Sequence, residues 1–198
     1  AVLRDYPALT TVMLQAGVGY AQPTQTLPEK VTLDDSALQV LTDFQRVTAI
    51  IILSGDTVDE AHARMIQRGV RLLLVVDQDR KVLGVITAND ILGEKPMQMV
   101  VQRGIKREEL LVRDVMTPQR ELDLLNLADV RAAKVGHIVA TLQKLGRHHA
   151  VVVELDDTGR QRVRGVFSAT QITRQLGVAI QTSQVARTFS EIEAMLGR

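Results

Sequence analysis

Gly69-Val70-Arg71-Leu72-Leu73-Leu74-Val75-Val76-Asp77 and, after a polar turn, Gly84-Val85-Ile86-Thr87-Ala88-Asn89-Asp90 decide the fold, because both stretches return further along the chain. Ala61, Met65, Gly69, Arg71 and Asp77 correspond to Ile138, Leu142, Gly146, His148 and Glu154, each 77 positions later. Gly84 to Asp90 corresponds to Gly165-Val166-Phe167-Ser168-Ala169-Thr170-Gln171, 81 positions later, because the second copy carries four extra residues in its hairpin. Extra hairpin residues cost little, so the same order of elements is written twice.

Working outward, the β-branched run Val47 to Leu53 predicts a buried strand, with Ser54-Gly55-Asp56 as its turn. Thr57-x-x-Glu60 is a capping box opening a helix with Val58, Ala61, Met65 and Ile66 on one face, and Gly69 stands where a left-handed cap ends it. Leu72 to Val76 and Val82 to Ile86 predict a hairpin around Asp77 to Lys81, and Thr87 caps a short helix through Leu92. A connecting helical segment follows, with Met97, Val100, Val101 and Ile105 at helical spacing. The second copy opens at Asp114, has a strand over Leu122 to Leu127, and repeats helix, strand and hairpin from Val135 to Ile172 without the Thr-x-x-Glu box. Each copy therefore reads β-α-β-β-α, an α/β (α+β) unit whose few strands cannot bury both faces alone. Pairing two such units about a pseudo-twofold axis solves that problem and leaves matching clefts between them. The expected organisation is an N-terminal arm over 1–39, units over 40–95 and 112–177 joined by 96–111, and a tail over 178–198. Ser190-x-x-Glu193 in that tail is a capping box for a last short helix.

Composition narrows function further. Only 3% of the 198 residues are aromatic and none is Trp, which argues against stacking platforms for bases. A formal charge of +1 provides no overall field toward nucleic acid or anionic membrane, so any anion site must be local. The chain has no cysteine, which rules out disulfides and thiolate metal sites and suits a reducing, cytoplasmic setting. No uniform apolar run reads as a secretion signal or a membrane span. The Arg160-x-Arg162-x-Arg164 alternation reads as a solvated strand face, offset by Glu154, Asp156 and Asp157. There is no Walker loop, dinucleotide glycine fingerprint, His-Glu-x-x-His or nucleophile elbow, and His62 and His137 read as exposed or capping residues.

From about Val40 to Gly177 the chain resembles a tandem of cystathionine-β-synthase (CBS) domains, the pair often called a Bateman module. The resemblance rests on Asp114-Val115-Met116-Thr117-Pro118 and its worn partner Val40-Leu41-Thr42, on Thr57-Val58-Asp59-Glu60-Ala61, on Gly69-Val70-Arg71, and on Gly84-x-x-Thr87-x-x-Asp90. It implies a non-catalytic regulatory module with no obligatory cofactor. Such a module binds AMP, ADP, ATP or S-adenosylmethionine, forms a homodimer, and reports to an effector protein.

In that frame Thr87 and Asp90 are the first-choice ligand residues: a carboxylate one turn after a capping hydroxyl can accept both ribose hydroxyls, and the hydroxyl with the free N–H groups can hold a phosphate. The plainer alternative makes Thr87 only an N-cap and Asp90 only a first-turn carboxylate. Arg71 stands where the resemblance implies a phosphate contact; alternatively it pairs with Asp59 or Asp90. His148, with Arg147 and His149 beside it, occupies the equivalent place in the second copy and implies a contact that strengthens as pH falls through the histidine range. Ser168 and Gln171 make a weaker or degenerate second site, because an amide replaces the charged acceptor. Adjacent histidines on a strand point to opposite faces, so no metal site is expected. The alternative function is a ligand-free dimerisation and docking scaffold.

Overall fold

The computed structural model describes residues 7–21 and 27–177; the capping box at Ser190 and Glu193 lies outside them. The chain enters with β1 (Thr42–Asp43) and β2 (Ile51–Leu53), then α1 (Val58–Arg68), β3 (Leu72–Val76), β4 (Val82–Thr87) and α2 (Ala88–Leu92). Next come α3 (Lys95–Arg103), α4 (Val112–Val115) and β5 (Thr117–Pro118). The second unit follows as β6 (Leu124–Asn126), α5 (Leu127–Ala132), α6 (Val135–Leu145), β7 (His149–Leu155), β8 (Gln161–Ser168) and α7 (Ala169–Gln175).

Local chemistry explains the boundaries. Thr57 Oγ1 accepts from the Glu60 N–H at 3.1 Å while Glu60 accepts from the Thr57 N–H at 2.8 Å, so the capping box starts α1. Gly69 ends α1 at φ 65°, a left-handed conformation in which glycine carries no steric penalty. In α6 a different residue does the same work, with the Lys134 N–H donating to His137 Nδ1 at 2.9 Å. Ile66, expected on the buried stripe of α1, is 70% exposed, and burial falls on Val58, Ala61 and Met65. In α3, Met97 and Val101 are exposed while Pro96 is buried and Met99 and Val100 pack against the core, so the packed stripe is displaced from the expected one.

The sheets do not follow the sequence repeat. Each has four strands rather than the expected three, in the orders β2-β3-β4-β5 and β1-β8-β7-β6. The leading strand of each copy crosses to the sheet of the other: β5 lies against β4, with Gly84 opposite Pro118, and β1 lies against β8, with Asp43 opposite Gly165. Both glycines are there for close approach, since an added Cβ would collide with the Thr117 carbonyl oxygen at Gly84 and with that of Thr42 at Gly165. The predicted strand at Val47 is shortened for a related reason. Ile51 pairs in parallel with Leu74, so residues before Ala49 run past the start of β3.

Each unit buries its own helical core, centred on Leu73, Ile86 and Leu110 in the first and on Val152, Phe167 and Leu142 in the second. A third apolar layer joins the sheets, with Leu72, Leu74 and Val85 meeting Val151 and Val166. Part of the N-terminal arm belongs to the second core: Val31 and Ala37 are buried there, followed by Val40 just past the arm, and the Val31 N–H donates to the Gln175 carbonyl at 2.9 Å. The arginine strand is not uniformly solvated. Arg164 is only 11% exposed, and its guanidinium donates to Asp43 at 2.8 Å and to Glu154 at 2.7 Å, tying β1, β7 and β8 together.

Candidate functional site

Thr87 is both the last residue of β4 and the N-cap of α2. Its Oγ1 accepts from the Asp90 N–H at 3.2 Å, and Asp90 Oδ2 accepts from the Thr87 N–H at 2.9 Å. The equivalent pair behaves differently. Ser168 Oγ accepts from the Gln171 N–H at 3.3 Å, but the longer amide turns away, accepting from the Thr42 hydroxyl at 3.4 Å and donating to Gln175 Oε1 at 3.1 Å.

Two cavities flank the layer between the sheets, each built from the cap of one unit and the pre-strand turn of the other. The smaller, about 160 Å³, brings Thr87 and Asp90 together with Thr117, Arg147 and His148. The larger, about 360 Å³, brings Ser168 and Gln171 together with Thr42, Phe44, Thr48, Ile50, Arg68, Arg71 and Arg174. Ligand pockets run from roughly 300 to 1,000 Å³, which admits the larger cavity and leaves the smaller below the range. Arg71 therefore does not line the Thr87 and Asp90 cavity beside which the sequence places it. The pseudo-twofold axis sets the start of β3 against the cap of the opposite unit, a pairing that spacing within one copy does not reveal. Arg71 has no ion pair among the described residues, and Asp59 pairs instead with Arg107 at 3.7 Å.

The cavities differ in charge. The smaller is lined by Asp90, Glu121 and Asp123 against Arg147, whereas the larger is lined by three arginines and no carboxylate. In the smaller cavity, burial and the Arg71 charge hold His148 below the ordinary histidine range. His149 is pushed down to about 4, first by burial and then by the charges of His148 and Arg71. Both rings are thus neutral near pH 7, and the expected gain in anion affinity through the histidine range moves to lower pH. His149, which the sequence reading names only as a neighbour of His148, lines both cavities. The sequence carried its signal as a histidine at the position where the first copy has Leu72, at the head of an apolar strand.

Residues 42–96 match the sequence model of the CBS domain. Among solved structures the chain is similar to an uncharacterized conserved protein from Pyrococcus horikoshii, at 19% identity over 77% of this chain and 100% of that one, with a TM-score of 0.54. It is also similar to a conserved CBS domain protein from Thermoplasma acidophilum, at 19% identity over 79% of this chain and 77% of that one, with a TM-score of 0.50. CBSX2 in complex with AMP matches at 18% identity over 71% of this chain and 94% of that one, with a TM-score of 0.49. No curated protein matches. The first unit thus matches a CBS domain, and with the second built on the same plan the chain has the fold of a tandem CBS pair. Among the described residues no helix is long and apolar enough to cross a membrane.

Proposed function

We propose that the chain is a non-catalytic regulatory module that binds an adenosyl nucleotide, of the AMP, ADP or ATP class, in a cavity between its CBS units. Occupancy then passes to an effector protein through the geometry of a homodimer. The observation that carries this reading is the lining of the larger cavity: Arg68, Arg71 and Arg174 at its edge with no opposing carboxylate, beside Ser168 and above an apolar floor of Ile50, Leu74 and Val166. A phosphate suits the guanidinium groups, and a purine suits the floor and Phe44. The adenosyl class comes from the CBS resemblance. Thr87 and Asp90 remain candidates for a second ligand, one with hydroxyl or cationic groups, because the smaller cavity carries three carboxylates. A ligand shifts a dimer equilibrium only by its differential affinity for the two arrangements, so the signal scales with contacts that change between them.

Calorimetric titration with AMP tests the assignment. Charge-assisted contacts are worth about 1.5–3 kcal/mol, so Arg71→Ala weakens AMP roughly 10- to 100-fold while Asp90→Ala leaves it within about threefold. The reverse pattern moves the nucleotide to the smaller cavity. Failure of AMP, ADP, ATP and S-adenosylmethionine to bind nucleotide-free protein that is still dimeric returns the chain to the scaffold reading.

A further inference from the structure

Two acidic positions of the first unit are amides in the second. Asp90 corresponds to Gln171 and Glu94 to Gln175, each 81 positions later. Glu94 is exposed and makes no side-chain capping bond, whereas Gln175 is buried, at 5% exposure. A buried amide is costly unless its donors and its acceptor are met, and here they are. Gln175 Nε2 donates to the Pro28 carbonyl at 2.8 Å and to the Gln39 carbonyl at 3.1 Å. Only the nitrogen can donate, so Gln175 Oε1 faces the other way and accepts from Gln171 Nε2 at 3.1 Å. That in turn points Gln171 Oε1 at the Thr42 hydroxyl, which donates at 3.4 Å. Thr42 and Gln171 line the larger cavity, and Gln175 does not. A hydrogen-bonded chain of fixed direction therefore runs from the cavity to both ends of residues 28–39, and the Val31 N–H adds a further tie to the Gln175 carbonyl.

The cavity end of this chain is its loose end. The Thr42 bond is longer than an ordinary hydroxyl bond, and Gln171 Nε2 carries a second hydrogen for which the described residues supply no acceptor. Holding the long Gln171 side chain in place costs rotamer entropy in the free protein. We infer that Gln171 and Gln175 link occupancy of the larger cavity to the seating of the N-terminal arm: a ligand oxygen accepts the second Gln171 hydrogen, fixes that amide against Gln175, and so tightens the hold on residues 28–39. The inference rests on the reading that this cavity takes an anionic nucleotide, whose ribose and phosphate oxygens are acceptors. A ligand that orders Gln171 spares the arm that cost, and the coupling is reciprocal, so a seated arm strengthens the ligand by the same factor. The tied stretch is preceded by a segment of unusual composition: no residue from 6 to 28 is charged, and Leu9, Val12, Met13 and Leu14 are exposed. Occupancy thus sets how firmly that apolar segment is anchored to the second unit.

The test uses the full chain with AMP as probe, reading affinity by calorimetry and the seating of the arm by amide hydrogen exchange. Saturating AMP slows exchange of the Val31 amide about fivefold more than that of Val75 in the first core, the worth of one neutral hydrogen bond. Gln171→Met cuts the chain at the cavity while leaving the Gln175 bonds to Pro28 and Gln39 intact. AMP then binds through the arginines about fivefold more weakly, and Val31 no longer responds beyond Val75. Gln175→Met cuts the chain at the arm and weakens AMP by a similar factor, although residue 175 lies outside the cavity lining. If Gln175→Met does not fold, Gln171→Met carries the test alone. AMP that binds wild type without slowing Val31 beyond Val75, or that slows it equally in Gln171→Met, overturns the inference and leaves the nucleotide cavity standing. If AMP does not bind wild type at all, the inference falls together with the function it rests on.

Discussion

Set side by side, the smaller cavity gathers Asp90, Glu121 and Asp123 around Arg147, and the larger gathers Arg68, Arg71 and Arg174 around Gln171. The backbone plan is shared: a crossing strand, a glycine beneath it, a capping hydroxyl, and a pre-strand turn from the opposite unit. What differs is the charge each lining carries, three carboxylates and one arginine in the smaller cavity against three arginines in the larger. The duplicated frame holds positions while the side chains choose the ligand. With Gln171 in the place of Asp90, the arginines of the larger cavity are left unopposed. The glutamine is also drawn into structure by Thr42 and Gln175, a role that Asp90, held in its own capping box, does not take.

The shared plan breaks hardest at the crossing strands. Gly84→Val and Gly165→Val each force a side chain into the backbone of the strand above, and each costs about 3 kcal/mol in urea unfolding. The pair also separates the cavities, because the first displaces Thr117 from the smaller and the second displaces Thr42 from the larger. AMP binding that survives Gly84→Val and fails in Gly165→Val sharpens the contrast; equal loss in both erases it.

Acid exposes the next difference, since only the second unit carries a histidine in the shared wall. The folded pKa of His149, about 4, lies below its ordinary 6.5, so the unfolded chain takes up the proton first as pH falls. Stability held in full above pH 6.5 is lost progressively toward pH 4, by roughly 3 kcal/mol. The positive groups facing the ring are His148 and Arg71, and both oppose its charging. Chemical unfolding at pH 7 and pH 4.5 should show this slope in wild type and a flatter one in His149→Leu.

A smaller effect follows from Arg164, whose counterpart in the first copy is Leu83. Arg164→Leu removes the buried cation shared by Asp43 and Glu154 and costs about 2 kcal/mol at pH 7. The Arg164 hydrogen bond holds the Asp43 carboxyl below its usual range, and Arg162 followed by Arg164 does the same for Glu154. The penalty therefore shrinks only at pH values below the ordinary carboxylate range. Arg162→Ala removes an exposed partner of Glu154 and changes stability by less than about 0.5 kcal/mol. A cost as large as that of Arg164→Leu would show that the two arginines act as one unit.

Much of the fold was legible along the chain because its signals are local. The capping boxes at Thr57 and Thr87, the left-handed glycine caps at Gly69 and Gly146, and the apolar strands at Leu72 and Ala150 act within a few residues of themselves. Ser168 was legible for the same reason, as a capping hydroxyl recurring at a fixed offset. Arg71 was read as a site residue beside Thr87, whereas it lines the cavity of Ser168, because partnership across the pseudo-twofold axis leaves no mark in spacing within one copy. Arg164 was read as solvated because strand alternation gives its face and not what the crossing strand β1 lays over that face.

The sequence alone determined the repeat, the strand and helix order, and the residue types at each equivalent position, since propensity, capping and periodicity depend only on near neighbours. Tertiary structure alone decided which strand crosses to which sheet, which cap faces which arginine, the charge of each cavity, and the burial of His149. Those properties depend on burial and on distances between residues remote along the chain, which are set only when the two units pack.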